Sequence, residues 1–405
     1  EAILFNAVLV VRDLEALAGD TDKNIPDLIP LAASILASHV GPLVVTASKM
    51  VWPASNMHPV VVAELGIPTE AERITLWQRV LGDDSRQISE EAAARYRITA
   101  GTISRATATA RARSEARGSP LILDDIRVGV RGQLDAELAL LGRRVDWQQT
   151  WEDLVLPDDI IEEIREMIAR VEHRRRVLDE WGFARKVGKG VGISALFSGP
   201  PGTGKTMVAG LIARELQLDL YQIDASRMVS KWIGETEKNL ARLFDAASAG
   251  HAVLLFDEAD SLFAKRTEVK SSTDRYANLE VNYLLQRMEA FDGITILTTN
   301  LETSVDDAFK RRLAFRVAFQ LPERDEREQL WRAMLPAEAK VEKNLDFKAL
   351  ADRYEMSGGY IRNAVIRAAY IAASEGKAIG MNHLQRAAVL EYTAMGKVIH
   401  AATTL

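Results

Sequence analysis

The sequence predicts an α/β protein in which a parallel sheet sandwiched by helices is followed by a helical lid, and it predicts this module in two tandem copies. Three observations carry the prediction. Short β-rich apolar runs, among them VLVV (8–11), PLVV (42–45), ISALFS (193–198) and VLLF (253–256), alternate with helix-period stretches, the pattern of a parallel sheet with helices on both faces. A Gly-rich turn, GPPGTGKT (199–206), joins one such run to the helix-forming MVAGLIARELQ (207–217). Finally, elements of the first half recur in the second half in the same order.

The recurrence begins at the strand ends, where Arg12-Asp13 falls opposite Asp257-Glu258. PLVVTAS (42–48) then matches TILTTN (295–300). Pro68, Arg73, Trp77 and Leu81 match Pro322, Arg327, Trp331 and Leu335 with identical spacing. RYRITAGTI (95–103) matches RYEMSGGYI (353–361), and Leu121 and Ile126 match Ile379 and Leu384. The offset drifts only from 245 (12 to 257) to 258 (95 to 353), as changes in loop length produce. The expected organisation is a degenerate large subdomain over 1–67, a helical lid over 68–126 and a connection over 127–150. An active large subdomain follows over 151–321, with a second lid over 322–405. Because the chain begins at Glu1 inside a strand-like run, the N-terminal part of the first copy, with its own phosphate loop, is expected upstream.

Composition narrows the function classes. The 405 residues suffice for two or three domains with sizeable cores. A formal net charge of −6 supplies no global attraction for nucleic acid. With no cysteine there is no disulfide, thiolate zinc site or thiol catalysis, which fits a cytoplasmic location. None of the six histidines stands in an HExxH pattern, so no zincin-type protease is attached. Residues 25–48 are apolar but interrupted by Pro26, Asp27, Pro30, His39, Gly41 and Pro42, so no membrane span is expected there.

GPPGTGKT fits G-x4-G-K-[ST] in the strand–turn–helix setting that motif requires. Gly199, Pro200, Pro201, Gly202, Thr203 and Gly204 form a loop whose backbone N–H groups can close round phosphates. Lys205 would neutralise the β and γ oxygens of ATP, and the Thr206 hydroxyl would ligate Mg²⁺. VLLFDEAD (253–260) brings Asp257 and Glu258 to the C-terminal end of a buried strand, where α/β folds bind ligands. Asp257 would hold Mg²⁺ and Glu258 would polarise the attacking water. Asn300 closes another apolar strand and is placed either to orient that water or simply to form a turn. Arg311 and Arg312 follow in DDAFKRR (306–312), a spacing that by itself suits a solvated helix end.

GPPGTGKT, KWIGETEKNLARLF (231–244), LLFDEADSLF (254–263), TTN, DDAFKRR and SGGYIRNA (357–364) together resemble the AAA clade of AAA+ ATPases. The likeness covers 147–405, with a degenerate version over 1–126. It implies a P-loop AAA+ fold, ATP hydrolysis with Mg²⁺, and a homo-oligomeric ring, commonly a hexamer, acting on a protein substrate. It also implies that Arg311 and Arg312 reach the neighbouring subunit's γ-phosphate. Lys231, Trp232 and Ile233 would form a first pore loop that grips unfolded polypeptide, and 265–275 a second. Gly359 occupies the place where many AAA+ proteins carry a lid arginine, with Arg362 just beyond. TEVKSSTDRYANLEVNYLLQRMEAFDGI (267–294) resembles ATPases encoded with phage-tail-like contractile injection systems.

The first copy departs from the pattern. Two unit charges about 4 Å apart interact by roughly 4 kcal/mol at an effective dielectric of 20, so Arg12 in place of a metal-binding aspartate repels a divalent ion. Ser48 replaces Asn300, and no arginine occurs between 49 and 72. The expectation is a catalytically dead scaffold. Four arginines over 104–118 and the run EHRRR (172–176) read first as solvated surface, and otherwise as a face for an acidic partner or nucleic acid. The leading function is a ring-forming motor that remodels, unfolds or threads a protein. The alternatives are a nucleic-acid-directed motor and an assembly platform for a contractile injection particle.

Overall fold

The computed structural model describes residues 7–18, 26–47, 61–63, 65–82, 85–138, 142–187, 192–224, 235–250, 252–260, 283–301, 305 and 307–397. The chain divides into two units, Glu1–Gly66 and Ile67–Leu405.

In the first unit, strand β1 (Leu9–Val11) leads through a 3₁₀ turn to helix α1 (Ile29–Ala37) and strand β2 (Leu43–Val45). Pro30 in the first turn of α1 loses no hydrogen bond, since the N–H groups there have no helical acceptor. The strands pair in parallel, Leu9 with Leu43, Val10 with Val44 and Val11 with Val45. Asp13, next after Arg12, takes a left-handed backbone with φ 57°. It is held there because its N–H reaches Thr46 Oγ1 at 3.4 Å and the Leu14 N–H reaches the Thr46 carbonyl at 3.1 Å.

The second unit opens with four helices, α2 (Glu70–Leu81), α3 (Arg86–Arg95), α4 (Ala100–Arg117) and α5 (Leu123–Leu138). Thr69 starts α2 with a reciprocal cap, its backbone N–H bonding the Glu72 carboxylate at 2.8 Å. Trp77, Ile103 and Ile126 are fully buried in the core of this group. Arg73 ties its ends together, donating to the Pro68 carbonyl at 2.5 Å and to the Ala93 carbonyl at 2.8 and 3.1 Å. The arginines of α4 are largely engaged within the fold. Arg117 grips Asp125, which is completely buried, with two 2.7 Å bonds, Arg113 adds a third, and Arg111 bonds the Val80 carbonyl. All four arginines over 104–118 stay exposed, as a solvated face requires, while Arg111, Arg113 and Arg117 also bond to groups of the same helical unit.

The stretch 127–150, read from the sequence as a connection, is mostly regular structure. Its first part completes α5, whose Leu138 enters the core of the sheet layer. Strand β3 (Gly142–Val145) then adds an edge to the main sheet, antiparallel to its neighbour. Glycines at 129 and 132 weaken the helical signal, and a strand of four residues carries too little periodicity to be read.

That sheet has six strands in the order β3-β5-β6-β7-β4-β8. The members are β4 (Ile193–Ser198), β5 (Leu220–Asp224), β6 (Val253–Asp257), β7 (Ile294–Thr299) and β8 (Phe315–Ala318), all parallel. The central strands are apolar because both faces are covered. Leu254 and Phe256 face one core with Leu240, Leu243 and Phe244 of helix α8 (Glu235–Gly250). Val253 and Leu255 face the other, with Ile164 and Met167 of α6 (Asp158–Glu172) and Val208 and Ile212 of α7 (Lys205–Glu215).

Helices α9 (Arg324–Ala333), α10 (Phe347–Arg353), α11 (Gly358–Ser374) and α12 (Met381–Ala394) close the chain. Their build repeats that of α2–α5. Arg327 donates to the Pro322 carbonyl at 2.7 Å and to the Ala351 carbonyl at 3.0 Å, and Trp331, Ile361 and Leu384 are fully buried. These are the positions that the sequence aligns with Arg73, Trp77, Ile103 and Ile126.

The Arg117 guanidinium, more than any other group, holds the Asp125 carboxyl below its usual range. A depressed folded-state value stabilises above the unfolded value of about 3.9, and the benefit is lost as pH falls through the folded one. Asp125→Asn should lower Tm by several degrees at pH 7 in calorimetry. The gap to the wild type should narrow below about pH 4.

Candidate active site

Strand β4 runs into the loop 199–204, and α7 begins at Lys205. Gly199 has φ 138°, and a Cβ there would lie 2.0 Å from the Phe319 carbonyl oxygen, so only glycine fits. Gly202 has φ 77°, and its carbonyl accepts the Gly359 N–H at 2.9 Å, joining the loop to the start of α11. The loop thus aims a helix N-terminus into a cavity of about 720 Å³.

Lys205 is 7% exposed, and its ammonium donates to the Gly199 and Pro200 carbonyls at 2.7 and 2.9 Å and to Asn300 Oδ1 at 2.9 Å. Burial pushes this ammonium below its ordinary value, opposed by the charges of Asp257, Asp260 and Glu258. Thr206 Oγ1 lies 3.3 and 3.4 Å from the two Asp257 oxygens. Thr298 Oγ1 donates to Asp257 Oδ1 at 2.5 Å and accepts the Glu258 N–H at 3.0 Å. Gln222 Nε2 donates to Asp257 Oδ2 at 2.7 Å. Glu258 is left exposed with φ 52°, turned off the strand at the cavity wall.

The predicted cradle residues, Asp257, Glu258 and Asn300 are therefore one constellation. Arg311 and Arg312 are not part of it. Both are exposed beyond β7, neither lines the cavity, and Arg312 Nε pairs with Glu289 at 2.9 Å. Arg362 and Gly359 do line it, from α11. Lys231, Trp232, Ile233, the stretch 265–275 and Ser48 lie outside the described residues.

Sequence reasoning missed three polar partners and one apolar wall. Gln222 and Thr298 belong to strands flanking β6, so only the sheet register reveals them. Asp260 accepts the Thr299 hydroxyl and, at 3.2 Å, the Asn300 N–H, and so fixes the end of β7. Leu154 and Leu156, on the segment before α6, face the cavity together with Leu330 and Met334. Their signal was the apolar LVLP (154–157), out of period with the helix that follows. Such a wall suits a flat base at one end of a ligand whose charged end meets Lys205.

Among the described residues no cluster of three or more carboxylate, His or Cys side chains forms an all-protein metal cage. The Thr206 hydroxyl beside the Asp257 carboxylate fits Mg²⁺, which takes one or two protein oxygens and completes its shell with phosphate and water.

Residues 195–321 match the family model described as ATPase family associated with various cellular activities (AAA). The chain carries an AAA ATPase domain. Residues 69–143 match the contractile injection system ATPase helical domain, so helices α2–α5 precede the AAA domain as a second recognised module. Cell division protein C of Sulfolobus acidocaldarius is 32% identical over 232 residues, 54% of this chain and 58% of that protein. Vacuolar protein sorting-associated protein 4 of Dictyostelium discoideum is 33% identical over 180 residues, 43% of this chain and 39% of that protein. ATPase family AAA domain-containing protein FIGL1 of Arabidopsis thaliana is 37% identical over 175 residues, 40% of this chain and 25% of that protein. The chain thus spans less than two thirds of each of these relatives. The phosphate loop, Gln222, Asp257, Glu258, Asp260, Thr298 and Asn300 fall inside the AAA match, while Leu154, Leu156, Leu330, Met334, Gly359 and Arg362 line the cavity from outside it.

Asp260→Ala should change nucleotide affinity of the AAA domain far less than turnover, because Asp260 makes no bond to the cradle and reaches Lys205 only through its charge. It should lower kcat by about tenfold to a hundredfold through a misplaced Asn300. Equilibrium binding of a fluorescent ATP analogue beside steady-state phosphate release checks both halves.

Proposed function

We propose that the protein is an ATP hydrolase that works as a ring, commonly a hexamer, and remodels, unfolds or threads a protein substrate through a central pore. The observation that carries this reading is the convergence of Lys205, Thr206, Asp257, Glu258 and Asn300 on one cavity wall. With ATP bound, Lys205 would neutralise phosphate oxygens, Thr206 and Asp257 would hold Mg²⁺, and Asn300 would orient the attacking water while Glu258 takes up its proton. The exposure of Arg311 and Arg312 away from their own cavity supports the reading in which they complete a neighbour's site. A protein substrate is supported by relatives described as a protein-sorting and a cell-division protein. Against a nucleic-acid partner stands the net charge of −6, together with the pairing of Arg113 and Arg117 with Asp125. The helical-domain match favours a role beside contractile injection particles.

The domain reading is a proposal of the same kind: a dead copy over 1–67 with its lid over 68–126, a connection over 127–150, and a live copy over 151–321 with its lid over 322–405. Its support is a set of repeated bonds. Leu9–Val11 pair with Leu43–Val45 in the register in which Leu254–Phe256 pair with Thr295–Leu297. Asp13 and Glu258 share a left-handed backbone. The N–H groups at 13 and 14 bond Thr46 as those at 258 and 259 bond Thr298. Arg12 then stands where the live copy has Asp257, so the first copy keeps the frame without the metal-binding oxygen. In this reading it stiffens the ring. Trp232 is the residue proposed to grip substrate.

Two experiments test the motor. Glu258→Gln should bind Mg-ATP with wild-type affinity but hydrolyse it about 10²–10⁴-fold more slowly; parallel loss of binding and turnover would make Glu258 structural. For the fingers, Arg311→Ala and Arg312→Ala should each depress turnover strongly, arginine fingers being worth about 10³–10⁵ in GTPases, while nucleotide affinity of dilute protein holds. Wild-type specific activity should rise with protein concentration, and a constant value from a proven monomer rules the trans arrangement out.

A further inference from the structure

The carboxylate of Asp257 is held from both flanking strands. On the β7 side Thr298 donates to Oδ1 at 2.5 Å, and on the β5 side Gln222 donates to Oδ2 at 2.7 Å. Gln222 is paired across the sheet with Leu255, so Asp257 lies two residues further along β6, on the diagonal. Diagonal neighbours in a sheet sit about 7–8 Å apart, within reach of long side chains only. Glutamine spans the gap, and asparagine is one methylene short. A carboxylate accepts only, so the amide must present its NH₂ to it. With one donor on each oxygen the carboxylate is locked in rotation, and the remaining lone pairs face Thr206 at 3.3 and 3.4 Å.

We propose that Gln222 is a positioning residue that sets the Asp257 carboxylate for Mg²⁺, pinning the oxygen that Thr298 does not hold. This rests on the reading of Asp257 and Thr206 as the Mg²⁺ side of an ATP site. Partners behind a metal ligand commonly change metal affinity by about 10–100-fold when removed. Among the described residues the Gln222 amide bonds Asp257 and none of the cradle residues, so its loss should act first on the metal side of the site.

The test is binding of a fluorescent ATP analogue to the full chain, titrated with Mg²⁺ and repeated in EDTA, with Mn²⁺ binding followed by electron paramagnetic resonance as a second readout. Gln222→Met keeps the length and volume and removes the donor. Gln222→Asn keeps the donor and removes the reach. Both should raise the Mg²⁺ concentration for half-maximal metal-dependent binding by about tenfold and weaken Mn²⁺ binding in step. Binding in EDTA and Tm should stay at wild-type values. Asp257→Ala is the control that separates the two levels of the argument. If it abolishes the Mg²⁺ dependence while both Gln222 variants keep the wild-type curve, the proposal fails and the site stands. A tighter Mg²⁺ response in Gln222→Met also overturns it, because the amide would then be a competitor for the oxygen. If Asp257→Ala itself keeps a normal Mg²⁺ response, the metal site is elsewhere and both readings fall. A Tm drop confined to Gln222→Met leaves Gln222→Asn to decide by the same curve.

Discussion

Strands β6 and β7 lie in parallel register up to Phe256 and Leu297, and the next residues along each, Asp257 and Thr298, are joined by a hydroxyl–carboxylate bond of 2.5 Å. Much of the site depends on this crossing point. The same hydroxyl accepts the Glu258 N–H, and the Thr298 carbonyl accepts the Ala259 N–H at 2.8 Å. Those bonds require the chain to turn at Glu258 through a left-handed backbone, which costs a non-glycine residue about 1 kcal/mol or more. What is gained is direction. Asp257 stays in the sheet edge facing Thr206, while Glu258 leaves the strand and reaches the cavity mouth. Two adjacent acids thus have separate surroundings, Asp257 bonded on both oxygens and Glu258 exposed at the cavity wall.

The cavity chemistry also depends on how little water reaches the loop side. Lys205 is nearly buried and carries its charge next to three acidic groups, an arrangement in which a polyanion can displace the neutral carbonyl partners of the ammonium. The α7 N-terminus adds its dipole to the same point. On the opposite side Leu154, Leu156, Leu330 and Met334 supply apolar surface. The cavity thus carries charge at one end and apolar surface at the other.

How much of this was legible follows from chain continuity. The phosphate loop could be read because its parts are contiguous and each glycine answers a local need, at Gly199 the approach of the Phe319 carbonyl. Asp257, Glu258 and Asn300 could be read because strand ends are where such residues act. Gln222, Thr298 and Asp260 could not, since each matters only through the sheet register or through a turn meeting a neighbouring strand. The arginines of α4 read as a solvated basic face and are exposed, but the partner of two of them could not be read. Asp125, eight residues after Arg117 and twelve after Arg113, is completely buried, so its charge needs those guanidinium groups. Residues 127–138 look like a connection because glycines at 129 and 132 mask a helix that packing sustains.

The two helical groups share one build but meet the sheet in different ways, and the difference bears on motion. The α11 group touches the phosphate loop through the Gly359–Gly202 bond and roofs part of the cavity with Arg362, so it adjoins whatever the loop holds. The α2–α5 group is fastened far from the cavity. Leu134 of α5 packs against the end of α8, where a Cβ on Gly250 would come within 2.9 Å of it. Arg97 and Arg174 share Asp292 ahead of β7, and Arg131 meets Asp219 ahead of β5. The chain then continues directly into β3 of the same sheet. Those attachments grip the N-terminal ends of the strands whose C-terminal ends carry the chemistry. A displacement of that group is therefore coupled to α8, β5 and β7 together. Each helical group is joined in sequence to an edge strand of the sheet, α2–α5 to β3 after it and α9–α12 to β8 before it. The difference therefore lies in what else they touch: the phosphate loop for the second group, and α8 with the residues ahead of β5 and β7 for the first.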